Sequence, residues 1–70
     1  MNAEPIQAML RVKPFAPFEV HLSSGEVYEV RHPENAMLLR TNLLIGFPEK
    51  DSFALCALSQ VSNVQPLQRA

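Results

Sequence analysis

The segment from residue 14 to residue 34, PFAPFEVHLSSGEVYEVRHPE, constrains the fold most, because it contains two strands and the turn that joins them. Residues 18–22 alternate apolar and polar side chains, which is the pattern of a half-buried strand. The tight turn is at Ser23-Ser24-Gly25, where glycine adopts a positive φ without steric cost. Residues 26–31 form the returning strand, and Pro33 ends it because proline donates no hydrogen bond. We therefore expect an antiparallel hairpin.

The N-terminal segment predicts one short helix over residues 2–13. Ile6, Met9 and Leu10 follow helical spacing and form one apolar face. Asn2 is a suitable residue to cap the first turn. A helix of about three turns is marginal alone in water, so we expect it to pack on the rest of the chain.

The segment AMLLRTNLLIGF, residues 36–47, has eight apolar residues in twelve, and no regular period separates two faces. We interpret it as two strands, 36–40 and 43–47. A strand that is apolar on both faces is normally covered on both faces. One small core covers only one of them, so we expect the other face to meet the helix or a second chain.

The C-terminal part predicts a strand over 52–58, with Phe53, Leu55 and Ala57 on one face. Apolar residues spaced by three then indicate a tight helical turn at 58–61, followed by a final short strand. Residues 65–70 are expected to form a frayed tail.

Together these elements predict a single domain over residues 1–70, with a helix at 2–13 and β-structure over 17–66. The expected fold class is mainly β (α+β): an N-terminal helix packed on a bent five-stranded antiparallel sheet. The order of elements is similar to that of Sm-like small β-barrels. That resemblance implies a ring that binds RNA, although the RNA-contacting residues of that family have no counterparts that can be placed on this sequence.

The stretches PFAPFEVHL, SSG, VYEVRHPE and LSQVSNV also resemble a family of small bacterial proteins of uncharacterised function. The resemblance covers residues 5–65, and its specific parts are Pro-Phe-x-Pro-Phe and His-Pro-Glu. It implies an N-terminal helix and a hairpin whose second strand ends at the His-Pro-Glu triplet, and it implies no activity. Ser24 stands where an acidic or amide residue is commoner in that family.

The small size of the chain favours association. Chains of this length bury only about 60% of their unfolded surface, and disulfides, a metal or a partner usually compensate. Cys56 is the single cysteine, which excludes an intramolecular disulfide and suits a reducing cytoplasm. No stretch reaches the roughly 20 apolar residues needed to cross a bilayer. We predict a cytoplasmic protein, without a membrane partner, that forms a homo-oligomer or binds another protein.

The charge distribution argues against a nucleic-acid partner. The chain has six Lys+Arg against seven Asp+Glu, a net charge of −1, and its cations are scattered. Nucleic-acid binders concentrate positive charge, because neutralising phosphates dominates their affinity. The four phenylalanines, Phe15, Phe18, Phe47 and Phe53, are interpreted as core residues rather than as a stacking platform for bases.

The sequence also lacks a recognisable catalytic or metal-binding pattern. The candidate ligands His21, His32, Glu34 and Cys56 do not have the paired short spacings of structural zinc sites. Cys56 lies in the apolar run FALCAL, which favours an inert packed thiol. We predict neither an enzyme nor a bound metal or cofactor.

Two sites are predicted. The first is an interface within the apolar segment, with alternatives that leave open which face is exposed: Met37, Leu39, Leu43 and Ile45, or their alternates Leu38 and Leu44. The second is a polar loop, His32, Glu34 and Asn35, which is either a structural strand exit, the preferred interpretation, or a contact for a ligand or partner.

Three functions follow from these sites, in order of preference. The first is a non-enzymatic module that acts through protein–protein contact or homo-oligomerisation. The second is an Sm-like RNA-binding protein, and the third is a ligand-sensing accessory domain.

Overall fold

The computed structural model describes residues 1–67 and contains one α-helix and six strands. The elements are α1 Glu4–Arg11, β1 Phe18–Leu22, β2 Val27–Val30, β3 Ala36–Leu38, β4 Asn42–Phe47, β5 Ser52–Ala57 and β6 Val61–Pro66. The mainly β fold class predicted from the sequence is confirmed.

The strands form two antiparallel sheets of three. The first sheet has the order β2-β1-β6 and the second sheet has the order β3-β4-β5. The prediction of one bent five-stranded sheet in an Sm-like barrel is therefore wrong: residues 1–67 contain six strands and no closed barrel. The sheets separate at two 3-10 turns, Pro33–Asn35 and Leu58–Gln60. Each turn has one hydrogen bond of its own, from the Ala36 N–H to the Pro33 carbonyl in the first and from the Val61 N–H to the Leu58 carbonyl in the second, and the chain passes from one sheet to the other there.

The strand that the prediction miscounted is β6. It pairs with β1 from Phe18↔Pro66 to Leu22↔Val61, with one register shift between His21 and Leu22. Beyond it, the Leu67 N–H donates to the Pro17 carbonyl at 2.9 Å. The predicted frayed tail is thus wrong for residues 65–67, and its remaining positions, 68–70, lie outside the described residues.

The hairpin of the first sheet has the expected form. β1 occupies the predicted residues, and β2 lies within the predicted 26–31. Gly25 has a φ of 97°, and its N–H donates to the Leu22 carbonyl at 2.9 Å. Val20 and Tyr28 lie opposite each other across the two strands. The local turn signals were therefore sufficient to specify this hairpin.

Helix α1 covers one end of the core and lies within the predicted 2–13. Ile6 is fully buried, and Met9 and Leu10 pack against the core beside it. The Glu4 N–H donates to Asn2 Oδ1 at 3.1 Å, which ties down the first turn. The buried core takes residues from the helix and both sheets: Ile6, Phe18, Val20, Val30, Leu43, Ile45, Cys56, Leu58 and Val61.

Candidate interaction surfaces

The strand register separates the second sheet into a buried inner face and an exposed outer face. On β4, Leu43 and Ile45 are fully buried, whereas Leu44 between them points to the outer face. Leu44 lies opposite Met37 of β3 and opposite Leu55 of β5. Side chains at such paired positions are in contact, so these three form a continuous apolar row across all three strands. Met37 and Leu55 are each 58% exposed.

A second group of side chains extends this row. Phe53, two residues from Leu55 on the same face of β5, is 67% exposed, and Leu39 is 45% exposed. Phe53 lies opposite Gly46, which contributes no side chain. We call the surface formed by these five apolar side chains the outer apolar face: Met37, Leu39, Leu44, Phe53 and Leu55.

Gly46 leaves a depression in the outer apolar face. A Cβ built on Gly46 would have one neighbour within 4 Å, the Asn35 carbonyl oxygen at 3.6 Å. The depression has a volume of about 360 Å³, and it is lined by Met37, Leu44 and Phe53 and by the acidic residues Glu34 and Asp51. The surface is therefore not flat, and a partner side chain has a place to insert.

The predicted interface residues divide between the two faces. Met37, Leu39 and Leu44 belong to the outer apolar face, Leu38 packs half-buried against the core, and Leu43 and Ile45 are buried within it. Both alternative sets mixed the two faces, because β3 pairs with β4 as Met37↔Leu44 and Leu38↔Leu43. The turn between the strands sets this register, and a one-residue change exchanges the two faces.

Sequence reasoning placed Phe53 in the core, and this is wrong, because Phe53 is the most exposed large apolar side chain of the described residues. Of the other three phenylalanines, Phe18 is fully buried, and Phe15 and Phe47 pack half-buried against the core. Leu55 was not proposed as an interface residue. The alternation of β5 contained the signal, since it places Cys56 on the face opposite Phe53 and Leu55, and cysteine is among the most buried residue types.

The predicted polar loop borders a groove of about 820 Å³ that adjoins the depression and shares Gly46 with it. Its walls are β2 on one side and the 3-10 turn Pro48–Lys50 on the other. His32, Glu34 and Asn35 all line it, with the first two exposed and Asn35 half-buried. The loop itself is the first 3-10 turn, in which the Asn35 N–H donates to the His32 carbonyl at 3.0 Å.

An aromatic pair forms the floor of this groove. The rings of Tyr28 and Phe47 have centroids 5.6 Å apart, and the Tyr28 hydroxyl donates to Glu26 Oε2 at 3.3 Å. Desolvation, then the negative charge of Glu26 and this hydrogen bond, raise the pKa of Tyr28 above its usual value. The phenol therefore stays protonated at neutral pH and does not act as a base. At the rim, Glu29 and Arg31 form an ion pair at 2.7 Å.

The remaining candidate ligands are not brought together. Across residues 1–67, no three His, Cys, Asp or Glu side chains form a group that could hold a metal ion. His21 Nε2 lies 3.0 Å from Glu19 Oε1 and 2.8 Å from Gln65 Nε2. Cys56 is buried in the core, as predicted, and desolvation followed by the charge of Glu26 raises its pKa. Its thiol is consequently protonated at neutral pH, and only the thiolate is a good nucleophile.

Among the described residues, no helix has the length and apolar character needed to cross a membrane. Comparison with protein-family models, with curated proteins and with solved structures finds no match to this chain. The resemblances drawn from the sequence therefore stay predictions.

Proposed function

We propose that this protein is a small non-enzymatic interaction module that binds another protein through the outer apolar face. One observation carries the proposal: large apolar side chains from all three strands of the second sheet adjoin one another in solvent. Exposed apolar side chains are common singly, but a contiguous patch is typical of an interaction site.

The energetics of this face support the proposal. Covering a large apolar side chain stabilises a protein by about 1.5–3 kcal/mol relative to leaving it in water. Met37, Phe53 and Leu55 each leave more than half of the side chain exposed in the isolated chain. Methionine and aromatic residues are also enriched in interface cores. A partner would therefore gain binding energy from each of these side chains that it covers.

The chemistry of the face restricts the partner. None of its five side chains carries a charge or a hydrogen-bonding group: Met37, Leu39, Leu44, Phe53 and Leu55. A charged group placed against them would lose its hydration without a counter-charge, which is costly. The partner is therefore a protein surface that presents uncharged apolar side chains to these five residues.

Site-specific photocrosslinking in the cells that produce the chain tests this function. A photoreactive amino acid at position 55 should give a discrete crosslinked product, because Leu55 belongs to the outer apolar face and is 58% exposed. The matched control is position 27, since Val27 is also an exposed apolar strand residue, 46% exposed, but lies in the first sheet. No product from position 55, or equal products from both positions, would contradict the proposal.

A ligand-sensing accessory role is a second candidate, favoured by the groove beside the polar loop. Its volume of about 820 Å³ lies within the range of small-molecule sites, about 300–1,000 Å³. Thermal unfolding against a panel of common metabolites should then show a raised Tm that His32→Ala removes, because a ligand of the folded state stabilises it. A panel without any shift would argue against this role.

The Sm-like RNA-binding alternative depended on a barrel topology that residues 1–67 do not have, so we do not propose it.

A further inference from the structure

Strand β5 has the one long unprotected edge among the four edge strands of residues 1–67. Edge strands pair with other chains unless charge, proline or short length protects them. In the first sheet, β2 has four residues with an exposed Glu29, and β6 ends at Pro66, which lacks an N–H. In the second sheet, β3 has only three residues. By contrast β5 has six residues, SFALCA, with no charge, proline or glycine.

The hydrogen bonds beside β5 determine which of its backbone groups face the open edge. The Leu58 N–H donates to the Thr41 carbonyl at 2.9 Å, in the same register as the β4–β5 pairs. In an antiparallel ladder, hydrogen-bonded pairs alternate with non-hydrogen-bonded pairs. The backbone groups of Ser52, Ala54 and Cys56 consequently bond to β4.

The other three residues of β5 therefore direct their N–H and C=O groups away from β4, to the open edge. No backbone hydrogen bond within residues 1–67 uses these groups of Phe53, Leu55 and Ala57. The same residues have their side chains on the outer face. The open edge and the outer apolar face are thus one continuous surface.

We propose that a second copy of this chain occupies this edge, with β5 pairing antiparallel to the partner's β5 around a two-fold axis at Leu55. The two second sheets then form one six-stranded sheet. This inference deepens the proposed function and rests on it, because it names the partner of the same surface.

The edge is complementary to itself in that register. Leu55 lies opposite the partner's Leu55, and Phe53 lies opposite the partner's Ala57. All N–H and C=O groups of these three residues on both chains then have partners, which satisfies the exposed backbone. The large Phe53 side chain meets the small Ala57, so the outer face packs without a clash between bulky groups.

Charge and the position of Pro66 also favour pairing of β5 with the β5 of a second copy over pairing of β5 with the other edge strands of that copy. Self-pairing of β5 brings no two like charges together, since the strand carries none and Asp51 at its start lies opposite the partner's Ser59. Pairing of β5 with β6 of another copy would place Pro66, which lacks an N–H, in the ladder. The two-fold arrangement also joins both outer apolar faces, so Phe53 and Leu55 of each copy become partly covered.

Ala57→Pro tests the pairing with little disturbance of the monomer. Ala57 has φ −65° and ψ 133°, and its N–H points to the open edge. Proline therefore fits the backbone, removes one donor from the edge and places its ring where the partner strand would lie. Ala57→Ser is the matched control, because it keeps the N–H.

Size-exclusion chromatography with in-line light scattering gives the readout, and circular dichroism checks that each variant is folded. We expect wild type and Ala57→Ser to have twice the 7.9 kDa mass of the chain, and Ala57→Pro to have the mass of one chain. Leu55→Lys is a second variant, should Ala57→Pro fail to fold: it sets two ammonium groups against each other at the axis and should also give a monomer. Met37→Lys, the same change on the same face but on β3, should leave the dimer intact.

Four outcomes would overturn the edge pairing. They are a wild-type monomer at every concentration, a folded Ala57→Pro that stays dimeric, an assembly of more than two copies, and a dimer lost in Met37→Lys but not in Ala57→Pro. The last would mean that copies meet through the face, which leaves the proposed function standing. A wild-type monomer that still crosslinks to a different protein from position 55 would likewise overturn only the second copy as partner.

Discussion

The two sheets have the same number of strands and the same antiparallel order, but their outer faces differ completely. Across the first sheet, Glu29, Glu19 and Gln65 form one row. Across the second sheet, the corresponding row is Met37, Leu44 and Leu55, described above as part of the outer apolar face. The inner faces of both sheets are apolar and share one core. The two sheets therefore differ in the polarity of the side chains that they present to solvent or to a partner.

The outer face of the first sheet is polar, and its side chains interact with one another and with water. His21 lies within hydrogen-bonding distance of Glu19 and Gln65, and Arg31 pairs with Glu29. Such exposed polar contacts contribute little to stability, but they keep the face hydrated and discourage association. On the corresponding side of the second sheet, Asn42 lies opposite Ala57, the remaining strand side chains are apolar apart from Gly46, and the β5 edge is unprotected. We infer that the first sheet maintains the fold and that the second sheet makes the contacts.

The largest expected effect separates the two faces of the second sheet. Leu43→Ala should lower the free energy of unfolding by about 2–5 kcal/mol, because it leaves a cavity in the core. Leu55→Ala should change it by less than about 0.5 kcal/mol, because Leu55 is on the surface of the monomer. Urea unfolding of both variants in the Ala57→Pro background measures this without any contribution from association. Similar losses for both would mean that Leu55 is covered within the chain.

A smaller effect is expected from replacing the glycines, Gly25 in the hairpin of the first sheet and Gly46 in the second sheet. Gly25→Ala should destabilise the protein by about 1–2 kcal/mol, because its φ of 97° is strained for any residue with a Cβ. Gly46→Ala should cost less, because its Cβ would make an ordinary contact at 3.6 Å. Thermal unfolding of the two variants gives the comparison. Equal losses would show that Gly46 is also required by its backbone.

The third expected effect is a loss of stability at alkaline pH. Cys56 and Tyr28 have pKa values raised above 9.0 and 10.0, so the folded state holds both protons more tightly than the unfolded state. Their contribution to stability is complete below pH 9.0 and is lost as the pH rises through the folded pKa values. Urea unfolding at increasing pH measures this loss, and Cys56→Ala should remove its first part. A Cys56→Ala profile identical to that of wild type would contradict the role of the thiol.

The smallest expected effect is on dye binding, when lysine replaces an exposed apolar side chain on each outer face. Phe53→Lys should reduce binding of a hydrophobic dye such as ANS, because it replaces the most exposed apolar side chain of the outer apolar face. Val27→Lys, the matched change in the first sheet, should have little effect, because Val27 is isolated among polar residues. Dye fluorescence at equal concentrations of folded protein measures both. An equal decrease for the two variants would mean that the dye does not distinguish the sheets.

The sequence was sufficient for the elements that local signals determine. The hairpin at Gly25, the apolar face of α1 around Ile6 and the position of β5 all lie where the pattern predicts them. Each depends on a turn residue, a helical period or an alternation within a few residues. A resemblance or an alignment was not needed for any of them.

The exposed face of 36–47 could not be predicted, because it depends on pairing between strands. The register that sets Met37 against Leu44 determines which leucines point outward, and a shift by one residue would exchange them. Burial of Phe53 was predicted because no basic groove accompanies the phenylalanines, and that argument does not say which face of β5 is buried. The assignment of β6 to the first sheet likewise depends on contacts with β1, which are 39 residues apart in the chain at Leu22↔Val61 and 48 apart at Phe18↔Pro66.

Amide hydrogen exchange at two protein concentrations tests the central claim most directly, namely that the second sheet associates and the first does not. The amides of Phe53, Leu55 and Ala57 face the open edge of β5, and those of Val27 and Glu29 face the open edge of β2. We predict that the β5 amides are protected at high concentration and exchange rapidly on dilution, whereas the β2 amides exchange rapidly at both. Rapid exchange of the β5 amides at every concentration, or protection that appears at β2 instead, would contradict this account.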